Sequence, residues 1–333
     1  MKKWLFRTAA VMLAILIPAC LCAAEGALPP SPEPPPATIE RPTPAPTAVP
    51  TDTIIDHVHH PEQYPGFAFR QDRKILDIWF PNIKDADAAI LTYDGKVWMI
   101  DCADGKSADK CVLLIWQLGI TDIDILFNSH PHHDHIDGLE KIAGAAQIGE
   151  IRICFPPTET ESGLRMMQTA LDKKIPVKEY KDGDTFAMGD GAVGMFVLKN
   201  NEEELDVNNR SALMMISYGD RRILFTADME FPGQEAMIAR IDPELLKCDI
   251  VKYPHHAKSY IYPPFFDAMD AKLAIVTAFE GRPDAGQRDL SNRRIPTVYT
   301  SVKGRFIHLA TDGEYWLCEE VPVTVQQTES RRK

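Results

Sequence analysis

The stretch from residue 130 to residue 138 reads His-Pro-His-His-Asp-His-Ile-Asp-Gly and holds four of the ten histidines in the chain. An apolar segment typical of a strand, 123–129, leads into it, and a segment typical of a helix, 138–143, follows it. The segment 123–129 thus resembles a strand that enters a sheet, and the polar cluster lies between this strand and the helix.

The spacing inside this stretch favours metal binding. Side chains two residues apart in extended backbone point the same way, so His130 and His132 can reach one cation. The chain then turns, which lets Asp134 and His135 face a second cation about 3.5–4 Å from the first. Imidazole and carboxylate groups are the usual ligands of catalytic zinc. The alternative is a histidine-rich surface turn, which would not require four ligand-type side chains in register.

The pattern H-x-H-x-D-H resembles the metal-binding signature of the metallo-β-lactamase fold superfamily. The likeness runs from about Lys74 to Leu317, and the order of the later features is similar to the extracellular hydrolase domain of ComEC-type DNA-uptake proteins. The resemblance implies an α/β fold, the four-layer αβ/βα metallo-β-lactamase sandwich, with metal ions held by loops at one edge of the sheets. It also implies a metal-dependent hydrolase.

Short apolar segments separated by turn signals predict strands along most of the chain, and three segments have helical periodicity. The predicted helices cover 108–118, 164–173 and 234–240. The predicted strands cover 75–80, 88–91, 97–100, 123–127, 151–155, 193–198, 212–217, 223–225, 250–253, 273–277 and 305–309. Helices lie between groups of strands, which fits two central sheets with helices outside them.

Two later segments complete the metal site if the resemblance holds. The strand 223–225 leads to Asp228, which the resemblance makes the carboxylate bridging both ions, although Ala227 stands where the family usually has glycine. Residues 250–259 are similar to the family segment Val-Pro-His-His-Gly-Ser. We assign His255 as a ligand of the second ion and His256 as its neighbour or proton donor, and the two roles could be exchanged.

Other site residues also follow from the resemblance. Asp101, at the end of a strand, is expected to orient a ligand histidine. The family's histidine between the first motif and the bridging aspartate is missing, and ComEC-like members have Asn-Asn-x-Ser there, as at 208–211. The first ion would then keep an open position beside His130, His132 and the bridging aspartate. We predict three substrate-binding residues, Asn209, Lys258 and Ser259.

The expected cofactor is a pair of divalent metal ions, with zinc as the first expectation and manganese as the alternative. Such ions lower the pKa of a bound water toward 7 and stabilise charge in the transition state. We predict Asp134, Asp228 and His256 as catalytic residues acting on phosphodiesters, either extracellular DNA or phosphate-containing wall polymers. A lactonase, a β-lactamase-type hydrolase and a non-catalytic metal-stabilised binding domain are the alternatives.

The chain begins like an exported protein. Lys2, Lys3 and Arg7 precede the apolar run 9–19, and small residues follow, which is the layout of a secretory signal peptide or lipoprotein signal over 1–24. Cleavage after Ala24, lipid attachment at Cys20 and an uncleaved anchor all remain open. We therefore expect an extracytoplasmic protein, secreted or tethered to the outer face of a bacterial membrane.

The remaining domain boundaries follow from composition. Residues 25–60 are predicted as a linker, because 28–50 contains ten prolines and little apolar mass. Residues 61–322 are predicted as the hydrolase domain and 323–333 as a polar tail.

The formal charge of −12 argues against broad, sequence-independent binding of nucleic acid. No obligate protein partner is evident. Five cysteines remain after the signal region and are expected mainly as small buried residues, with a disulfide possible; they are Cys102, Cys111, Cys154, Cys248 and Cys318.

Overall fold

A computed structural model describes residues 52–325. The predicted signal segment 1–24, most of the predicted linker and residues 326–333 lie outside the described residues. Within 52–325, no helix combines the length and apolar character that crossing a membrane requires.

Two β-sheets form the centre of the fold. The first has nine strands in the order β1-β16-β15-β2-β3-β4-β5-β6-β7, and the second has seven in the order β14-β13-β12-β11-β10-β9-β8. The strands are β1 Ile54–Asp56, β2 Leu76–Phe80, β3 Ala88–Tyr93, β4 Lys96–Cys102, β5 Asp122–Phe127, β6 Gln147–Ile153, β7 Val177–Glu179, β8 Thr185–Met188, β9 Val193–Lys199, β10 Ala212–Tyr218, β11 Arg221–Phe225, β12 Ile250–Lys252, β13 Leu273–Val276, β14 Thr297–Tyr299, β15 Arg305–Thr311 and β16 Trp316–Pro322.

Residues 52–325 contain seven α-helices, of which six cover the outer faces of the sheets and the short α2 carries part of the histidine motif. They are α1 Ala108–Gln117, α2 His133–Ile136, α3 Leu139–Ala145, α4 Glu161–Lys173, α5 Phe231–Arg240, α6 Pro263–Met269 and α7 Ala285–Arg293. One apolar core lies between the sheets and joins residues such as Leu91 and Met214. A second core packs α1, α3 and α4 on the first sheet, and a third packs α5, α6 and α7 on the second. The predicted four-layer αβ/βα sandwich is confirmed.

All eleven strand segments predicted from the sequence form strands, and the three predicted helices are present. Five strands were missed, and four of them, β1, β7, β8 and β14, are the edges of the two sheets. Edge strands are short and half-exposed, so they carry little apolar alternation. The fifth, β16, has Glu319 and Glu320 in its middle, which hides its pattern.

The folded domain begins earlier than predicted. Strand β1 lies inside 25–60, the predicted linker, and pairs in parallel with β16. Ile55 is buried in this strand, which gives the segment a reason to join the sheet. The boundary at residue 61 was therefore placed too late. The five cysteines of the described chain are free thiols, and only Cys154 is not fully buried.

Gly138 shows why the metal-binding motif ends in glycine. Its backbone N–H donates to the carbonyl of Ala103, and a Cβ at this position would lie 1.9 Å from the carbonyl oxygen of Cys102. Any side chain here would therefore push the motif away from β4. The glycine holds the loop after β5 tightly against the end of β4, where Asp101 lies.

Candidate metal centre

Parallel strands bring the predicted site residues to one edge of the sheets. Strands β11, β12 and β13 run parallel, so their carboxyl ends meet at one edge. Asp228 follows β11, His256 follows β12 and Thr277 follows β13. In the first sheet β4 and β5 are also parallel, and the loop after β5 carries the histidine motif to the same place.

Four of the predicted residues form one buried cluster, Asp134, His135, Asp228 and His256, whose potential ligand atoms all lie within 4.8 Å of one another. The Nε2 atom of His135 lies 3.3 Å from Oδ1 of Asp228. The Nε2 atom of His256 lies 3.5 Å from Oδ2 of Asp228 and 3.3 Å from Oδ2 of Asp134. Asp228 thus lies between the two imidazoles, where a shared ligand would have to be.

The cluster passes a test of fit for a cation. Within the described chain, Nε2 of His135 and Oδ1 of Asp228 are buried and have no hydrogen-bond partner. Buried polar atoms are nearly always partnered, so two such atoms facing each other need an explanation. A divalent ion between them would satisfy both. Two imidazoles and two carboxylates suit zinc, and the carboxylates also suit manganese.

His130 and His132 lie beside this cluster. Nε2 of His130 is 3.2 Å from Nδ1 of His132, and the ring centroids of His130 and His135 are 4.1 Å apart. The two imidazoles therefore converge, as their spacing in sequence predicted. The rest of the first ion's ligand set, Asp228 and an open position, stays a prediction.

His255 and His256 are adjacent in sequence and differ in environment. His256 is fully buried and faces both Asp134 and Asp228, whereas His255 is half-buried and its Nε2 lies 3.7 Å from Oδ2 of Asp228. Nδ1 of His255 is instead 2.9 Å from Oε1 of Glu230, which also accepts a hydrogen bond from Ser259. The geometry favours the exchanged assignment, with His256 as the ligand of the second ion.

The backbone at this loop is strained. His255, His256 and Ala257 all have positive φ angles between 47° and 61°, and Ala227 has a φ of 47°. Left-handed backbone favours glycine, which explains why the family usually has glycine where this chain has Ala227 and Ala257. In this chain both alanines adopt the left-handed conformation, and the cluster of Asp134, His135, Asp228 and His256 still forms.

Asp101 contacts the histidine motif as the resemblance implied. Its Oδ2 lies 2.7 Å from Nδ1 of His135, and the backbone N–H and hydroxyl of Ser129 both donate to the same carboxylate. A carboxylate on Nδ1 keeps the proton there and turns Nε2 toward the cluster.

Sequence reasoning missed a group of buried residues behind His256. Thr277 lies 2.8 Å from Nδ1 of His256 and donates to Asp87, which forms an ion pair with Lys252. Glu230, the partner of His255, was also missed. The signal that could have found Lys252 is a lysine inside the apolar strand 250–253, because such a position is buried and a buried lysine needs an anion.

The three residues predicted to bind substrate differ from one another in their surroundings. The amide of Asn209 accepts hydrogen bonds from the backbone of Glu230 and Gly233 and donates to Asp206. It is also buried, so the geometry supports a role in holding the start of α5 and does not support substrate contact. Lys258 is partly exposed beside the histidine pair, and Ser259 is held by Glu230.

The electrostatics of the metal-free cluster couple the imidazoles to the carboxylates. Burial would lower the pKa of His256, but Asp228 and Asp87 raise it to about 10. Burial likewise opposes the charged form of His135, yet Asp228 and Asp101 hold its pKa well above the usual value. For His130 burial dominates and the pKa falls well below its usual range. Protons thus occupy the imidazoles that face carboxylates, and a metal ion must displace them.

The fold and the buried histidine–aspartate cluster define an α/β protein with a candidate metal site at one sheet edge. The family model described as the metallo-beta-lactamase superfamily matches residues 84–292, well over half of the chain. The chain belongs to this superfamily. The class predicted from the sequence, a metal-dependent hydrolase of this superfamily, is confirmed.

Individual relatives are more distant. A ribonuclease Z of Clostridium beijerinckii is 30% identical over 116 residues, which cover 33% of this chain and 36% of that protein. The chain therefore spans about a third of the length of this curated relative. A putative metal-dependent hydrolase from Parabacteroides distasonis has a TM-score of 0.43 at 17% identity, covering 69% of this chain and 94% of that one. A diphosphatase of the PhnP family has a TM-score of 0.43 at 13% identity, covering 71% and 98%.

Proposed function

We propose that this protein is a binuclear metal-dependent phosphodiesterase. The observation that carries the proposal is the position of Asp228, a buried carboxylate within 3.3 Å of one imidazole and 3.5 Å of another. A carboxylate so placed can be shared by two ions, with His130 and His132 on one side and Asp134, His135 and His256 on the other. Bound divalent ions would supply Lewis acidity and an activated water.

The chain's own residues supply the rest of the site. Asp101 orients His135, and Thr277 and Asp87 contact His256 on the side away from the cluster. His255 and Ser259, both held by Glu230, are less buried than the carboxylates of the cluster, so His255 is placed to contact a bound phosphodiester. Lys258, partly exposed in the same loop, offers a positive charge to the phosphate.

A phosphodiester substrate is supported by two arguments. Two ions side by side can stabilise both the attacking and the leaving oxygen of such a bond. The matched relative is named as a ribonuclease, and a ribonuclease cleaves phosphodiester bonds. The formal charge of −12 favours a substrate held locally at the metal centre over one held by a broad basic surface.

The setting of the activity is part of the proposal. The basic and apolar start of the chain and its proline-rich segment support export and tethering outside the cell. We propose extracellular DNA or phosphate-containing wall polymers as substrates, in keeping with the ComEC-like order of motifs.

A substrate screen tests this function. The purified protein, loaded separately with zinc and manganese, would be assayed on bis-p-nitrophenyl phosphate, a lactone and a chromogenic β-lactam. We expect turnover of the phosphodiester and little of the other two. Preferential lactone or β-lactam hydrolysis would overturn the substrate class, and full metal load without any hydrolysis would favour a non-catalytic binding domain.

A further inference from the structure

Behind the metal centre lies a row of buried polar groups that no step of the proposed reaction uses. It consists of Lys252 on β12, Asp87 just before β3, and Thr277 just after β13. The exposed fractions are 2% for Lys252, 5% for Asp87 and 1% for Thr277. Burying two charges is unfavourable unless their geometry and hydrogen bonds compensate, so an ion pair in this position calls for a function.

The contacts of these groups form a chain that ends on His256. The ammonium of Lys252 donates to Oδ2 of Asp87. The hydroxyl of Thr277 donates to Oδ1 of Asp87 at 2.7 Å and lies 2.8 Å from Nδ1 of His256. Oδ1 of Asp87 is also 3.2 Å from the same imidazole nitrogen.

The direction of each hydrogen bond in this chain is fixed by chemistry. An ionised carboxylate only accepts, and Asp87 is paired with the ammonium of Lys252, which donates to its Oδ2. The single hydroxyl proton of Thr277 is therefore used on Asp87. The Thr277 oxygen can then only accept from His256, so the imidazole must hold a proton on Nδ1.

We infer that Lys252, Asp87 and Thr277 are a positioning relay that fixes the metal-binding tautomer of His256. With the proton held on Nδ1, the lone pair of Nε2 faces Asp134 and Asp228, where the second ion would bind. The relay holds the Nδ1 proton of His256, and Asp101, on the other sheet, holds the Nδ1 proton of His135 in the same way. The inference rests on the two-metal site of the proposed function.

Removing Lys252 would take away the ammonium that donates to Oδ2 of Asp87 and holds this carboxylate toward Thr277. The hydroxyl of Thr277 would then lose its fixed acceptor and would no longer present a fixed oxygen to Nδ1 of His256. Removing the Thr277 hydroxyl changes no charge and leaves only the longer 3.2 Å contact between Oδ1 of Asp87 and Nδ1 of His256.

The test uses the full chain and four variants. Thr277→Val and Lys252→Met break the relay, and Thr277→Ser retains the hydroxyl. Thr300→Val is the matched control, because Thr300 is also buried after a neighbouring strand and its hydroxyl donates to the carbonyl of Ile83, away from the site. Zinc titration gives the dissociation constants of both ions. Nitrogen-15 spectra of histidine-labelled, zinc-loaded protein report the Nδ1–H group of His256.

We expect Thr277→Val and Lys252→Met to weaken binding of the second ion by about 10- to 100-fold, the range found for outer partners of metal ligands, with the first ion unchanged. The Nδ1–H resonance of His256 should shift or exchange faster in Thr277→Val, while Thr277→Ser and Thr300→Val should match the wild type. If Lys252→Met does not fold, the inference is tested by comparing Thr277→Val with Thr277→Ser and Thr300→Val.

The relay would be overturned if Thr277→Val and Thr300→Val bound the second ion with the same dissociation constant and showed the same Nδ1–H resonance of His256. Failure of the wild type itself to bind a second ion would overturn the proposed function instead.

Discussion

His255 and His256 occupy neighbouring positions and have opposite surroundings. His256 is fully buried, touches two carboxylates of the cluster and is held from behind by Thr277. His255 is half-buried, touches the cluster with one long contact and is held by Glu230. The difference teaches that residue type and spacing alone do not define a ligand. Both imidazoles have a partner on Nδ1, so what separates them is burial and the number of cluster carboxylates near Nε2, two for His256 and one for His255.

The largest expected effect belongs to the residue that both sides of the site share. Asp228→Ala should abolish phosphodiester hydrolysis, because it removes the carboxylate between His135 and His256. Loss of one electrostatic contact to a transition state lowers the rate by roughly 10²–10³, and loss of the metal pair should lower it at least as much. Steady-state rates on bis-p-nitrophenyl phosphate measure this, and circular dichroism checks the fold.

His133→Ala is the control for this variant. Its side chain is 69% exposed and lies outside the buried cluster, with Nδ1 3.7 Å from Oδ1 of Asp134, although it belongs to the same motif. Its turnover should stay within a few-fold of the wild type. Equal losses in His133→Ala and Asp228→Ala would mean that the motif acts through its fold and that the shared carboxylate has no special role.

The next prediction separates the two adjacent histidines. His256→Ala should release one ion per chain, whereas His255→Ala should keep both ions bound and lower turnover only. The physical reason is that His256 alone reaches both Asp134 and Asp228. Metal content after gel filtration gives the answer. An ion lost from His255→Ala and retained in His256→Ala would restore the assignment made from the sequence.

The third prediction concerns pH. The pKa of His256 is raised to about 10 in the metal-free cluster, so near neutral pH the imidazole is protonated and an ion must displace a proton. Second-ion binding should therefore tighten as pH rises from 6 toward 9. It should also release protons, which calorimetry in buffers of different ionisation enthalpy detects. Affinity that is flat across this range would contradict the coupling between His256 and its carboxylates.

A smaller effect is expected at a histidine far from the site. His308 lies between Asp77 and Glu319, each 2.9 Å from a ring nitrogen, and stacks on Trp79 with ring centroids 3.8 Å apart. Burial would lower its pKa, but the two carboxylates raise it. Because the folded pKa lies above the unfolded one, the charged interaction stabilises the fold below the unfolded pKa of about 6.5 and is lost as pH rises through the folded pKa.

His308→Gln should therefore lower the free energy of unfolding by about 1.5–3 kcal/mol at pH 5.5 and by less at pH 9. Urea denaturation at the two pH values measures the difference. His60→Gln is the matched control, since the His60 side chain is 55% exposed and its ion pair with Glu62 spans 3.8 Å. A loss that grows with pH would show that His308 is neutral in the folded protein.

The sequence predicted the parts of the site that are continuous along the chain. His130, His132, Asp134 and His135 fall within six residues, and their spacing alone indicates convergence. Most strands were also predicted, because strands in the middle of a sheet bury a continuous apolar pattern. The short edge strands were missed because they are half-exposed and carry little apolar pattern.

The contacts between distant segments could not be predicted. Asp87 and Thr277 are 190 residues apart, and only the pairing of two sheets brings them together. The same holds for His255 and Glu230, whose contact depends on the strained loop after β12. A short motif indicates which groups bind a metal, whereas the partners that orient those groups come from the tertiary fold.

The most direct test of the metal centre is the number of ions per chain, measured by mass spectrometry of metal content. Wild-type protein should hold close to two divalent ions, while Asp134→Ala and His135→Ala should each hold close to one, because both residues belong to the cluster of the second ion. Two ions retained in both variants, or a wild type that binds fewer than two, would contradict the proposed two-metal site.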